Sequence, residues 1–386
     1  QYSKCKKPFK RLWLPSMTPA AIRAAFASLR SAAEMQPIAE AARSRGEADW
    51  LVGINATRAM TAFNSRMGGF FLTTVGRVQT PTLALIVRRE EEITAFKPSD
   101  YWEVTDEFGT RGGSYKGRWF DPSFKKDPKD PDGRVLRADR IFDKARAEAV
   151  LARCEGKTAA VSEKSAVERK RPPQLFDLTS LQREANTRFG FSASTTLKIA
   201  QALYEKHKAL TYPRTDSRCL PEDYRQTVLQ TLGMLGGCGA YQAFADKIVA
   251  GGWVNPADRR VFDDKKISDH FAIIPTTQPP QGALTEADQK IYDFVTRRFL
   301  AVFYPPAEYS VTTRISVVGE DSFRTEGKVL VKAGWLEVAG RAPGGSADLA
   351  PLEGAASAPV LGVAAEAKRT APPPRYTEAT LLSAME

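Results

Sequence analysis

Histidine is nearly absent from this chain: its 386 residues contain two, His207 and His270. That scarcity excludes a histidine-rich metal site. Cysteine is scarce as well. Cys5, Cys154, Cys219 and Cys238 are scattered without a CxxC pair, which argues against zinc and against a disulfide framework and fits a reducing compartment. No apolar run approaches the 18 residues that a membrane-spanning helix needs. The first ten residues, QYSKCKKPFK, carry four lysines with no apolar stretch behind them, so no signal peptide is read there. Negative charge is in deficit, with 45 Asp and Glu against 56 Lys and Arg and a net charge of +11. Such an excess favours a polyanionic partner, nucleic acid or an anionic membrane surface. What remains is ordinary globular material, 42% apolar and 26% charged, long enough for two to four domains.

Residues 11–14 (RLWL) read as a short strand. Thr18-Pro19 then opens a helix, with Thr18 as N-cap, Pro19 at the first helical position and Ile22, Ala25, Phe26 and Leu29 as its apolar stripe. Helical pattern returns at about 38–66 and at 83–95. Between residues 1 and 98, 15 Lys and Arg face 7 Asp and Glu, so most of the positive excess lies there. Near Asp100 the texture becomes alternating, in YWEVTDEF and again at 158–167, with a Pro/Asp/Gly loop (124–133) between. Residues 177–207 read as helix, turn at Phe189-Gly190-Phe191, and a second helix capped by Ser192 or Ser194. Residues 285–303 are helical. Strand texture resumes over 307–340, including GWLEVA, and 342–373 read as loop with one strand. One β domain interrupted by a helical segment, about 174–304, accounts for this order. The chain opens with Gln1 and closes at Glu386 inside a helical pattern, so a longer parent protein is expected.

Four segments carry chemistry. In ALTYPRTDSR (209–218), Pro213 favours an extended Tyr212, and in extended chain residues i and i+2 share a face. Tyr212, Arg214 and Asp216 then point one way. A phenol nucleophile beside a guanidinium fork is suited to attack on a phosphodiester; the alternative is a buried tyrosine and a surface arginine in a connection. In TVGRVQTPT (74–82), Thr74, Val75, Gly76, Arg77, Val78 and Gln79 form an accessible loop ahead of a helix started by Pro81. It is a phosphate-binding candidate, or a simple turn. In DDKKISDHFAIIPT (263–276), His270 could bond a phosphate or move a proton, or be a satisfied structural histidine. In DWLVGINATRAMTAFNSR, Trp50, Arg58 and Arg66 recur at eight-residue spacing. That suits stacking and backbone neutralisation on a single strand, or a solvated arginine face with Trp50 in the core. EGKT (155–158) lacks the glycine of a phosphate loop, since Leu151 stands in its place, so no ATP site is read. Asp130-Pro-Asp132, in a lysine-rich turn, is a poor metal site.

Taken together, these segments resemble type IA DNA topoisomerases, most of all bacterial topoisomerase III. The matching stretches are ADWLVGINATRA (48–59), VGRVQTPTLALIVRREEEI (75–93), SLQREANTRFGF (180–191), ALYEKHKALTYPRTDSR (202–218), DHFAIIPT (269–276) and PPPRYTEATLLSAM (372–385). The resemblance implies a mixed α and β multidomain fold, a toroid in which a β arch carries an inserted helical, helix-turn-helix-like domain. It divides the chain into the tail of a Toprim domain (1–20), a helical single-strand-binding domain (21–98), the first part of the arch (99–173), the helical domain bearing the tyrosine (174–304), the second part of the arch (305–371) and the start of a returning helical domain (372–386).

The resemblance also implies roles. Tyr212 would hold a 5′ phosphate, Arg214 would position the scissile phosphate and His270 would assist beside it. Trp50, Arg58, Arg66, the segment Thr74 to Gln79, Asp216 and Ser217 would contact DNA. The cofactor implied is Mg²⁺, with ligands on an acidic N-terminal domain outside this chain; ATP and zinc are not. Implied partners are single-stranded and negatively supercoiled DNA and a helicase, for a monomer in the bacterial cytoplasm, associated with nucleoid or plasmid and not with membrane. This piece alone is expected to bind single strands and to relax supercoils poorly or not at all. Phe271 departs from relatives that carry His or Glu there. The competing readings are topoisomerase I and a non-catalytic single-strand binder on the same scaffold.

Overall fold

A computed structural model describes residues 7–14, 19–126, 128, 130, 135–340, 349–352 and 356–386. In chain order its elements are β1 (Lys10–Arg11), α1 (Pro19–Ala27), β2 (Arg30–Ser31), α2 (Ala32–Asn64), α3 (Gln79–Ala95), β3 (Asp100–Thr110), β4 (Gly113–Phe120), α4 (Lys144–Cys154), β5 (Thr158–Lys170), α5 (Leu178–Phe189), α6 (Ala193–Glu205), α7 (Arg225–Gly236), α8 (Gly239–Ala250), α9 (Glu286–Phe303), β6 (Ala307–Val318), β7 (Asp321–Lys332), α10 (Leu336–Ala339), β8 (Ser357–Arg369) and α11 (Glu378–Met385). They form two compact units. One takes the residues through Arg89, Pro173–Phe303 and Arg375–Glu386; the other takes Glu90–Pro172 and Tyr304–Pro374.

The second unit is a closed antiparallel barrel of strand order β3-β4-β7-β6-β5-β8. Three of its strands precede the helical segment and three follow it. Alternation fixes the register: Tyr115 and Trp119 of β4 turn inward and pair with Phe108 and Phe323. Gly117 lies between them because a Cβ there would come within 2.9 Å of the Phe108 ring and 3.0 Å of Phe323. Ala147, Val150 and Cys154 on one face of α4 complete this core. Each large apolar side chain so buried contributes about 1.5–3 kcal/mol.

The barrel also buries charge. Arg314 bonds Glu163 through Nε and Nη2 at 2.9 and 2.7 Å and lies 4.2 Å over the Tyr115 ring. Asp321 accepts from Trp119 Nε1 and from Arg153. Asp106 is the exception: it is 0% exposed and, beyond the Cys154 thiol beside it, its carboxylate oxygens have no partner. Burial, with the Asp321 charge adding, pushes its pKa up to about 7 against the opposing effect of the Cys154 thiol.

In the first unit, α5 to α9 share a core. Ile291, Val295 and Phe299 of α9 recur every four residues on its buried face, α9 packs on α6 and α8, and Leu181, Leu203, Leu232 and Ile248 of the other helices are buried as well. Asp177 starts α5 with a reciprocal cap, accepting from Ser180 N at 2.7 Å. Gly190, at φ 71°, ends it in the left-handed turn. Ser192, not Ser194, caps α6. α11 packs on α5, and its Glu378 Oε1 accepts from Ala193 N at the start of α6.

Several sequence expectations are corrected. The first strand is Lys10–Arg11, paired with β2, and residues 12–14 lie outside it. In α1, Ala25 is buried but Phe26 is 61% exposed. Trp50 is 64% exposed rather than in a core, and Thr61 is the buried residue of α2. α3 begins at Gln79, so Pro81 is its third residue and not its first. That position needs no amide bond within the first turn. GWLEVA is not a strand: Gly334, at φ 50°, turns the chain off β7 into α10, and a Cβ there would meet the Pro305 and Pro306 carbonyl oxygens at 2.5 Å. β2, β4, α4, α7 and α8 lie in stretches whose sequence pattern does not reveal them. Thr18 and half of the 124–133 loop, including Asp132, lie outside the described residues.

Candidate active site and nucleic-acid contacts

The segment after α6 begins with Lys208 at φ 51°, a left-handed conformation that an L side chain adopts at a cost. Neighbouring bonds hold it there. Gln281 O lies 2.7 Å from His207 Nδ1, and Thr276 Oγ1 donates to Lys208 O at 2.7 Å. The chain then runs extended beside residues 270–276. Thr276 N bonds Ala209 O, and Thr211 N bonds Ile274 O at 2.9 Å. The Thr211 hydroxyl donates to Ala272 O and accepts from Ile274 N. Farther on, Thr215 Oγ1 donates to His270 O at 2.7 Å.

This lacing fixes which side chains face out. Pro213, Thr215 and Ser217 are buried, Tyr212 is half-buried, and Arg214 and Asp216 are exposed. The Tyr212 ring lies between two others. His270 is 4.3 Å away, centroid to centroid, and Tyr204 of α6 meets it edge-on at 5.4 Å. Asp216 accepts from Ser268 Oγ at 2.8 Å. Ser217 does not fit a DNA contact: it is 2% exposed, its hydroxyl accepting from Cys219 N. Phe271 packs on Tyr224 at 4.8 Å. Arg218 binds Asp177 at 2.6 Å, tying the segment to the cap of α5.

A second group lies on α2 and the loop before α3. Val75 N bonds Thr57 Oγ1 at 3.0 Å, Thr73 N bonds Thr61 Oγ1 at 3.0 Å, and Asn64 Nδ2 donates to Thr73 Oγ1. These bonds fold the Thr74 to Gln79 loop along the helix. Gly76 N donates to Thr80 Oγ1. Val75 and Gly76 are half-buried, while Thr74, Arg77, Val78 and Gln79 are exposed. Arg77 is paired with Asp49, Nη2 reaching Oδ2 at 3.0 Å, so a phosphate must compete with that carboxylate. Trp50 and Arg58 are on α2 and exposed. Arg66 is beyond its end, its guanidinium 4.8 Å over Phe63, so it does not continue one helical face.

Arg89 of α3 bonds Tyr376 at 3.0 Å and stacks on its ring, and Thr82 meets Met385. Residues 375–386 therefore touch both α3 and the helices α5 and α6 beside the tyrosine segment. Among the described residues no three His, Cys, Asp or Glu side chains gather to hold a metal ion. Asp177 is bound by Arg218 and Asp216 accepts from Ser268. Sequence reasoning overlooked Gln201, Tyr204, Asp49 and the Asp177–Arg218 pair. The signal for the first two was their i, i+3 spacing just ahead of the tyrosine segment.

A family model described as DNA topoisomerase matches residues 33–386. The chain is 40% identical over 389 residues to DNA topoisomerase 3 of Shouchella clausii, covering 99% of this chain and 50% of that protein. It is 39% identical over 394 residues to DNA topoisomerase 3 of Bacillus licheniformis, covering 100% and 51%. With DNA topoisomerase 3 of Bacillus subtilis the identity is 38%, covering 99% and 50%. The chain thus spans about half the length of the curated relatives it matches. Among solved structures, full-length topoisomerase I from Thermotoga maritima shares the fold, with a TM-score of 0.63, 24% identity and coverage of 97% of this chain and 57% of that one.

Proposed function

This chain belongs to the type IA DNA topoisomerase family, and from that premise we propose that it is the tyrosine-bearing part of a topoisomerase III that cuts, passes and rejoins single DNA strands without ATP. The observation that carries this is the extended 209–218 segment, whose bonds to 270–276 hold Tyr212 half-open with Arg214 exposed one alternation further on.

In the proposed reaction the Tyr212 oxygen gives up its proton to solvent and attacks phosphorus. The new P–O(Tyr) bond forms as the P–O3′ bond breaks, and the 3′ oxygen leaves as a hydroxyl after taking a proton. Rejoining is the reverse. One phosphodiester is exchanged for another, so the bond energy is kept and no nucleotide need be spent. Arg214 presents N–H groups to the phosphate oxygens, and His270 beside the phenol ring helps to orient it. Trp50 offers a stacking face, and Arg58, Arg66 and the Thr74–Gln79 loop neutralise backbone. When bound, Mg²⁺ would supply charge neutralisation at the phosphate. We place the protein, as a monomer, in the bacterial cytoplasm on single-stranded or negatively supercoiled DNA, with a helicase as a candidate partner.

The test uses the full-length gene product and a single-stranded oligonucleotide labelled at its 3′ end. Denaturing electrophoresis should show labelled protein for the wild type and none for Tyr212→Phe, with equal DNA binding. Binding without any adduct in the wild type would leave only a single-strand binder.

A further inference from the structure

We propose that Gln201 is a positioning residue for Arg214, holding the Nε/Nη2 edge of its guanidinium so that the Nη1/Nη2 end is presented to phosphate. The inference rests on the reading of Arg214 as the phosphate clamp and adds the group that aims it.

Gln201 lies on α6, one turn ahead of Tyr204, which meets the Tyr212 ring edge-on. With its carboxamide oxygen toward Arg214, it accepts from Nε and Nη2, both at 3.2 Å. These two nitrogens form the lateral edge of the guanidinium. A bidentate contact there removes rotation about the last bonds of a flexible side chain. It leaves the Nη1/Nη2 end, with its parallel N–H pair, for two phosphate oxygens.

The chemistry of the acceptor matters. Arg218 and Arg77 are each held by a carboxylate, Asp177 and Asp49, whose charge offsets theirs. Among the described residues Arg214 has no such ion pair, and a neutral amide fixes it while leaving its full charge for the phosphate. The scaffold behind Gln201 is rigid. Thr196, Ile199, Ala200 and Leu203 bury the other side of α6, and Ser192 and Glu378 satisfy amides at its first turn. One helix therefore sets both groups, touching the nucleophile through Tyr204 and the clamp through Gln201.

Gln201→Met keeps length and helix propensity and removes the acceptor; Gln201→Glu keeps an acceptor and adds a charge. The first measurement is made on the ¹⁵N-labelled chain. The Arg214 Nε–H resonance is assigned by its loss in Arg214→Lys. Its hydrogen exchange should be about tenfold faster in Gln201→Met and slow in Gln201→Glu. Equal exchange in wild type and Gln201→Met would overturn the contact whether or not the protein is active.

The second measurement is the rate of Tyr212 adduct formation by the full-length protein. Gln201→Met should lower it by about tenfold to a hundredfold with oligonucleotide affinity unchanged. Added to Arg214→Ala, it should cost nothing further, because the two residues act as one unit. An unchanged rate, or a loss that multiplies with that of Arg214→Ala, would overturn the positioning role. Absence of any wild-type adduct would instead count against the tyrosine chemistry itself, with the exchange measurement still deciding the contact.

Discussion

Replacing Asp106 by Asn should make the protein more stable at neutral pH, and by an amount that vanishes in acid. Asp106 is wholly buried in the barrel with no partner for its oxygens beyond the Cys154 thiol, and burial raises its pKa to about 7. An aspartate in the unfolded chain titrates near ~3.9. The folded state therefore keeps a proton that the unfolded chain releases between about pH 4 and pH 7. Stability from this group is complete below about pH 4, falls as pH rises, and levels off once the folded carboxyl has also ionised. Three units at about 1.36 kcal/mol each make the loss about 4 kcal/mol by pH 7 to 8. Asn has nearly the same shape and cannot ionise. Its amide is as poorly partnered as the protonated acid, so the two proteins should be within about 1 kcal/mol at pH 4.5. Urea unfolding of both at half-unit steps from pH 4.5 to 8 is the assay. Trp119, bonded to Asp321 in the same core, serves as fluorescence reporter. Carboxylates that do not interact with Asp106 titrate alike in both proteins and cancel in the difference. A difference that widens by about 3 to 4 kcal/mol toward pH 8 is expected. A constant difference, or an Asn variant weaker at pH 8, would refute the reasoning.

Two further outcomes follow from particular contacts. Trp50→Ala should weaken single-stranded DNA binding by about 1–3 kcal/mol, the worth of one stacked base. The side chain is exposed, so the melting temperature should not change; an anisotropy titration and a thermal melt together check this. Gly334→Ala should destabilise the barrel unit by about 2–4 kcal/mol, since the position is left-handed and a Cβ would strike two carbonyl oxygens. Denaturant unfolding checks it, and a loss below about 0.5 kcal/mol would mean that the turn relaxes.

What could be read from the sequence followed the length and purity of each pattern. The strand-like composition of β3, β5 and β6 runs over 11 to 13 residues, and α9 repeats its apolar positions for 18; these were legible. α7 and α8 were hidden because Gly233, Gly236, Gly237 and Gly239 interrupt their pattern, although the packing of one helix on the other tolerates them. β4 is eight residues with two glycines, one of them required by the rings around it. GWLEVA has strand-like composition, and only the left-handed turn at Gly334 makes it helical. Exposure was the least legible property. Nothing within α2 says that Trp50 faces solvent or that Arg66 falls past the helix end. At the site, the alternation around Pro213 was local and visible. The partners that aim or compete for its arginines, Gln201 for Arg214, Asp177 for Arg218 and Asp49 for Arg77, come from 13 to 41 residues away in sequence. Tertiary structure alone brings them together.

The most direct test of the central claim is to find the atom that carries the DNA. The full-length protein would be incubated with single-stranded oligonucleotide, denatured, and digested with nuclease and trypsin. Cleavage after Lys208 and Arg214 releases the peptide Ala209–Arg214. The account predicts that mass spectrometry finds this peptide carrying a nucleotide through the Tyr212 oxygen, and that Tyr212→Phe abolishes it. A nucleotide on any other residue, or none on a protein that still binds the oligonucleotide, would contradict it.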